Sequence, residues 1–235
     1  MKSWKEVRQE ESQQRQLEKQ KRREQMVESM TAEELAEHDR GHQVFKMQKV
    51  MENRLIKEQQ RERLKNAPPL IIDLNFYELM LPNELKSLKQ QILYCYGLSL
   101  QSPKPFRLQL LNYKEDILHM STLGGFSEWE IDLIDSYPPN ATYLTADSPN
   151  MLEEFKNETF VIGGLVDRNR HKKICFNQAE QHKLQHVCIP IKAHVKLTSS
   201  QVITVNQIFQ LVQLLNEGQS IKDSCRKTIP ERKTQ

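Results

Sequence analysis

Residues 143–173, YLTADSPNMLEEFKNETFVIGGLVDRNRHKK, decide how the rest of the chain is read. Their pattern predicts a strand, a short helix, a second strand and then a turn at Gly163-Gly164. The apolar run Phe160-Val161-Ile162 leads straight into the paired glycines, which lets the backbone approach a ligand closely. The turn delivers Asp167 into a loop holding Arg168, Arg170, His171, Lys172 and Lys173. One carboxylate among so many cationic side chains suits the handling of an anionic polymer. The plainer alternative is a strand-to-helix turn followed by a solvated charged loop.

Working outward, short apolar runs alternate with helical spacing. Leu70 to Leu74, which contains Asp73, reads as a buried parallel strand. Phe106 to Leu111, Thr142 to Leu144, Thr159 to Ile162 and Gln185 to Ile189 are the other expected strands. Helices are expected from Pro82 to Tyr94, from Phe176 to His182 and from Thr204 to Asn216. Ser127 followed by Glu130 predicts one more, running through Ile134. Strands alternating with helices give a parallel α/β sheet. Such sheets bind ligands at the carboxyl ends of their strands, here near Leu144, Gly164 and Ile189. Neither GxGxxG nor GxxxxGK[ST] occurs, so a Rossmann dinucleotide site and a P-loop are both unsupported.

The first quarter of the chain differs in kind. Residues 1–66 carry 16 Lys/Arg and 13 Asp/Glu, and between residues 4 and 65 Gly41 is the only glycine. Two helices are expected, the second opened by a capping box between Thr31 and Glu34. Its apolar positions, Val44 to Ile56, recur at three- and four-residue steps and form one stripe. The first helix has too few apolar residues for a coiled coil, so a solvated helix that packs on RNA or a partner is expected. Ala67-Pro68-Pro69 closes this extension, giving a charged helical unit over 1–66 and an α/β domain over 67–235.

Composition excludes several classes. No apolar run approaches the ~18 residues of a transmembrane helix. Cys95, Cys175, Cys188 and Cys225 are far apart without a CxxC, which argues against zinc and against a disulfide framework. His171, His182, His186 and His194 have no acidic partners at ligand spacing and read as solvated surface residues rather than a metal set. The N-terminus is rich in Arg and Lys but also in Glu, unlike a transit peptide. Net charge is only +3, but residues 168–196 hold seven Lys/Arg against one Glu, and residues 218–235 hold five against two acids. That clustering suits phosphate contacts.

Four blocks, YLTADSPN, VIGGLVDRNRHK, the Ile189-Pro190-Ile191 strand end and VITVNQIF, resemble the tRNA purine-9 N1-methyltransferase family of the SPOUT superfamily. The resemblance extends back to IIDLNFYELM (Ile71 to Met80) and forward to IPERK (Ile229 to Lys233). It implies a parallel-sheet α/β domain with a trefoil knot, behind an N-terminal helical extension. It also implies S-adenosyl-L-methionine as cofactor, held largely by backbone in three loops. Those loops correspond to Leu144-Thr145; to Gly164 through Asp167, Arg168, Asn169, Arg170 and His171, with Cys175 behind; and to Ile189 with Gln201, Val202 and Ile203. Asp167 matches the general base of the family. Guanine N1 carries a proton that must leave, and a carboxylate is a weak base for that, each unit of mismatch costing about 1.4 kcal/mol. Asp167 is therefore expected to orient the purine or to act through water. Two positions depart from the family pattern: Cys188 stands where many members have arginine, and Lys192-Ala193-His194 replace acidic residues.

The implied activity is methyl transfer to N1 of the purine at tRNA position 9, with guanine favoured, by a monomer in the nucleus or cytoplasm. One branch of the family implies something else. There the fold is a tRNA-holding platform in a mitochondrial protein-only ribonuclease P, beside a dehydrogenase and a nuclease subunit. A plain RNA-binding module with an inactive pocket is the third reading.

Overall fold

The computed structural model describes residues 4–156, 158–196 and 202–230. The chain divides into two compact units, Met1–Lys57 and Glu58–Gln235. The first unit is two helices, α1 (Trp4–Ser29) and most of α2 (Ala32–Lys65). The expected capping box forms at the head of α2: Thr31 N donates to Glu34 Oε2 at 2.8 Å, and Glu34 N donates to Thr31 Oγ1 at 3.3 Å. No described residue of this unit is buried. The predicted stripe is present as a pattern but unpacked. Val44, Phe45, Met47, Val50, Met51, Leu55 and Ile56 are all 44–67% exposed.

The second unit begins inside α2, nine residues earlier than the proline boundary suggests, because the last turns of that helix belong to it. Leu64 is buried there, and Arg61 pairs with Glu128 at 2.5 Å. Next come β1 (Pro69–Asp73), α3 (Pro82–Gln101), β2 (Arg107–Leu111), α4 (Glu115–Leu118), β3 (Asp132–Ile134) and β4 (Thr142–Leu144). The chain finishes with β5 (Phe160–Gly163), α5 (Ile174–Gln181), β6 (Gln185–Val187), α6 (Ile191–His194), α7 (Val205–Asn216) and α8 (Ile221–Thr228). The strands form one six-stranded, all-parallel sheet in the order β3-β2-β1-β5-β4-β6. A sheet covered on both faces needs continuous apolar strands, and Leu70, Ile71, Ile72, Phe160 and Val161 are each at most 1% exposed. Helix α3 packs against α7, whose N-cap residue Thr204 donates its N–H to Gln207 Oε1 at 3.0 Å.

Register levels the carboxyl ends. Asp73 pairs with Leu111 and Gly163, and Leu144 pairs with Ile162 and Val187. Asp73 is fully buried at this edge. Its Oδ1 accepts from Asn75 N and Nδ2, at 3.0 and 2.7 Å, and its Oδ2 accepts the hydroxyls of Tyr137 and Tyr143, at 2.7 and 2.8 Å.

Several expectations are corrected. The segment from Ser127 to Ile134 is not a helix but a 3-10 turn (Phe126–Glu128) followed by β3. Asp132 is held by Arg107 at 2.6 Å and by Gln109 at 3.0 Å across the β2 register, so tertiary pairing overrides the helical spacing. Among the described residues, no helix forms between β4 and β5. Instead Cys188 N donates to Asn150 O and Leu152 N to Cys188 O, which ties that segment alongside β6. Helix α3 runs seven residues past Tyr94, and α4, α6 and α8 were not foreseen.

Candidate functional site

A cavity of about 390 Å³ opens where β4, β5 and β6 end. Three segments build it. The first is the turn after β4, with Leu144, Thr145, Ala146 and Asp147. The second is the loop after β5, from Gly163 to His171 with Ile174 and Cys175 beyond. The third combines Cys188, Ile189 and Ile191 with Val202 to Val205. A larger, shallower groove of about 1240 Å³ lies at the opposite edge of the sheet, among Pro68, Pro103, Pro105 and Phe155. The smaller cavity combines apolar walls with convergent polar groups at the carboxyl ends of a parallel sheet, where ligands bind.

Asp167 is the best-defined polar group at the rim, 7% exposed. Its Oδ1 accepts from Asn169 N and its Oδ2 from His171 N, both at 2.8 Å, so the carboxylate staples its own loop. Stapling allows two consecutive non-glycine residues, Arg168 and Asn169, to adopt left-handed φ values of 53° and 65°. Strain of this kind persists only where surroundings over-determine it, and here the carboxylate does so. Arg168 is thereby held exposed on the cavity wall.

Of the residues singled out from sequence, Leu144, Asp167, Arg168, Asn169, His171, Cys175, Ile189, Val202 and Ile203 line this cavity. Gly164 and Arg170 do other work. A Cβ on Gly164 would sit 2.7 Å from Asp73 O, 2.8 Å from Leu74 Cδ2 and 2.9 Å from Ile72 Cγ2, so that glycine permits close packing of the loop on β1. Its N–H donates to Asp73 O at 2.7 Å. Arg170 makes a bidentate pair with Glu84 at 2.6 and 2.8 Å and donates to Leu79 O at 3.1 Å, anchoring the loop to the start of α3. Those bonds, with that from Leu81 N, hold the Glu84 carboxyl below its usual range. Gln201 lies outside the described residues, as do the last three of Ile229 to Lys233.

Two polar residues of α3, Ser87 and Gln91, reach the cavity without any sequence signal beyond helical spacing. Gln91 Oε1 accepts from Val205 N at 2.9 Å, fixing the start of α7. Cys175 faces β5 closely enough that a Cβ on Gly163 would lie 2.5 Å from its sulfur. Burial first, and the nearby Asp73 charge second, push its thiol up to about 12. Cys188 is half-buried on the same cavity, its thiol also raised by burial. Contrary to the expectation for surface histidines, His186 is largely enclosed between Ser148 and Glu180. His182 packs on Tyr137 with ring centroids 4.8 Å apart. Among the described residues, no cluster of three His, Cys, Asp or Glu could hold a metal ion.

A leveled parallel sheet with a three-loop cavity at its carboxyl edge is the architecture of a SPOUT-type methyltransferase domain. The chain belongs to the tRNA (guanine(9)-N(1))-methyltransferase TRM10/TRM10A family, whose profile matches residues 1–234. It is 31% identical over 183 residues to tRNA methyltransferase 10 homolog A of Bos taurus, covering 70% of this chain and 52% of the relative. It is 26% identical over 220 residues to the tRNA (guanine(9)-N1)-methyltransferase of Schizosaccharomyces pombe, covering 86% and 72%. The crystal structure of spTrm10(74) superposes with a TM-score of 0.64 at 27% identity, over 70% of this chain and 96% of that one. The full-length spTrm10–SAH complex superposes at 0.63 with 26% identity, over 70% and 97%. The chain spans about half the length of the homolog A relatives it matches.

Proposed function

We propose that this chain transfers a methyl group from S-adenosyl-L-methionine to N1 of the purine at position 9 of tRNA, guanine being the favoured base. The observation that carries the reading is the cavity at the ends of β4, β5 and β6 with the stapled Asp167 at its rim. Its volume falls within the ~300–1,000 Å³ of small-molecule sites. Its lining fits the cofactor by chemistry. Leu144, Val202, Ile203 and Ile208 supply apolar walls, while Thr145, Asp147 and Gln91 supply hydrogen-bonding groups. Bound there, S-adenosyl-L-methionine would supply an electrophilic methyl group.

The chain's own residues have three tasks in this reading. The loop after β5 excludes water from one side of the cavity. Arg168, exposed at the rim, meets tRNA phosphate. Asp167 orients the base through a water that accepts the guanine N1–H and passes its proton on to solvent, as N1 takes the methyl group and S-adenosylhomocysteine leaves. Related proteins named above are tRNA methyltransferases, and the ribonuclease P platform has no counterpart among them. In this reading the charged helices of the first unit extend the tRNA footprint, the chain acts as a monomer, and its compartment is the nucleus or cytoplasm.

The test is incorporation from labelled S-adenosyl-L-methionine into unmodified tRNA carrying guanine or adenine at position 9, with Asp167→Asn in parallel. Guanine-9 labelling that falls about 100-fold in the variant is expected, the size of a lost oriented group at a reacting centre. Salt-sensitive tRNA binding without any labelling would sink the enzyme reading and leave the platform.

A further inference from the structure

Beside the cavity, three side chains form a hydrogen-bonded line that none of the roles above uses. Ser148 Oγ lies 2.9 Å from His186 Nδ1, and His186 Nε2 lies 2.8 Å from Glu180 Oε1. Ser148 belongs to the turn after β4, His186 is the middle residue of β6, and Glu180 is in the last turn of α5. Exposure falls along the line: the side chain of Glu180 is 58% exposed, that of His186 11%, and Ser148 is buried. Phe176 packs edge-on against the imidazole at 4.8 Å and fixes the plane of the ring.

The same residue types act as nucleophile, base and orienting acid in acyl-transfer enzymes. Burial rules that out here. The Ser148 hydroxyl is already engaged with His186 Nδ1, with the carbonyl oxygens of His186 and Asn150 at 3.1 and 3.3 Å, and with Asn150 N at 3.1 Å. No substrate carbonyl reaches it. What the line does is hold a turn, and the residues just before that turn, Thr145, Ala146 and Asp147, form one wall of the cavity.

We propose that His186 is a positioning residue for the cofactor: it sets the wall at Thr145 to Asp147 through the Ser148 hydroxyl. The proposal rests on the reading of this cavity as the S-adenosyl-L-methionine site. A carboxylate can only accept, so Glu180 selects the tautomer with its hydrogen on Nε2. Nδ1 is then left as an acceptor and, nearest at 2.9 Å against 3.1 and 3.3 Å for the carbonyl oxygens of His186 and Asn150, takes the one hydroxyl hydrogen of Ser148. That orientation turns the oxygen's lone pairs toward Asn150 N–H, which closes the turn. The carboxylate on α5 thus dictates, two bonds away, the shape of a loop on β4.

Asparagine and glutamine separate the two ends of the line. His186→Asn reaches as far as Nδ1 and keeps the Ser148 contact. His186→Gln reaches toward Nε2 and keeps the Glu180 contact while losing Ser148. Binding of S-adenosylhomocysteine to the full chain is measured by calorimetry for the wild type, His186→Ala, His186→Asn and His186→Gln, with circular dichroism checking the fold. The expected result is a Kd about tenfold weaker for Ala and Gln, or about 1.4 kcal/mol, and within about threefold of wild type for Asn. In the methyl-transfer assay, KM for S-adenosyl-L-methionine rises while kcat at saturation stays within about twofold. If Ala fails to fold, the Asn and Gln pair still decides, since both keep a polar side chain. Equal Kd values for Asn and Gln, or a loss confined to kcat, overturn the proposal. A wild type that binds S-adenosylhomocysteine alongside an unaffected Ala variant overturns the positioning role alone. A wild type that does not bind it overturns the role together with the reading of the cavity.

Discussion

Residues 44–56 and residues 70–74 are apolar stretches on either side of Ala67-Pro68-Pro69, and they meet opposite fates. In α2 the stripe of Val44, Met47, Met51 and Leu55 remains exposed; in β1, Leu70, Ile71 and Ile72 are each 0% exposed. The difference is not hydrophobicity but partners. A strand's apolar residues are buried from both faces once neighbouring strands and covering helices are in place. A helix stripe needs another element's stripe, and α1 offers only scattered apolar residues such as Val7, Leu17 and Val27, themselves exposed. Apolar periodicity therefore states what a segment can bury, and the rest of the chain states whether it does.

Substitutions can break or sharpen that contrast. The largest effect is expected at Gly164, where a side chain would collide with the backbone and side chains of β1. Gly164→Val should cost at least about 3 kcal/mol in urea unfolding, and a fully folded variant would refute the close packing. Tyr143→Phe removes one of two hydroxyls from the buried Asp73 carboxylate. A loss of about 1–3 kcal/mol is expected by the same measurement. At the other extreme, Met47→Glu with Met51→Glu should leave unfolding within about 0.5 kcal/mol per site. A large loss there would mean that the stripe supports the fold after all.

Thiol labelling gives the finest comparison, within the second unit alone. Cys95 and Cys225 are buried, and burial raises both thiols. Cys175 is pushed up to about 12. Cys188, half-buried on the cavity and with the Lys192 charge opposing what burial and Asp147 add, should alkylate first, as read by mass spectrometry of the digested protein. Added S-adenosylhomocysteine should slow that reaction at Cys188 and change the others little.

Five of the six strands were legible: β1 and β5 as short, nearly continuous apolar runs, and β2, β4 and β6 as short segments mixing apolar with polar residues between turns. β3 was not. Ser127, Glu130, Ile131, Leu133 and Ile134 imitate a capped amphipathic helix, and only the pairing of Asp132 with Arg107 and Gln109 on β2 reveals a strand. Helix α8 carries a usable signal in the sequence, Ser220 followed by Asp223, whose N–H donates to Ser220 Oγ at 3.1 Å. In the site, Gly163-Gly164, Asp167 and the short apolar strand ends mark the loops that border the cavity, because backbone geometry drives their composition. Gln91 and His186 were invisible in their roles. Each acts through a contact between segments distant in sequence, Gln91 on Val205 and His186 on Ser148, and spacing along the chain carries no trace of either.

The hub at Asp73 has one more consequence, for the behaviour of the protein in alkali. Tyr137 and Tyr143 both donate to that carboxylate, and both phenols are raised above their ordinary value, by burial first and then by neighbouring charge and hydrogen bonds. An unfolded chain would ionise them near pH 10, whereas the native fold keeps them protonated. Between those limits the native state binds more protons than the unfolded one, so stability is intact below about pH 10 and declines above it. Base thus attacks the sheet from its centre rather than from its edges. A near-ultraviolet titration should show these two phenolates only as the second unit comes apart.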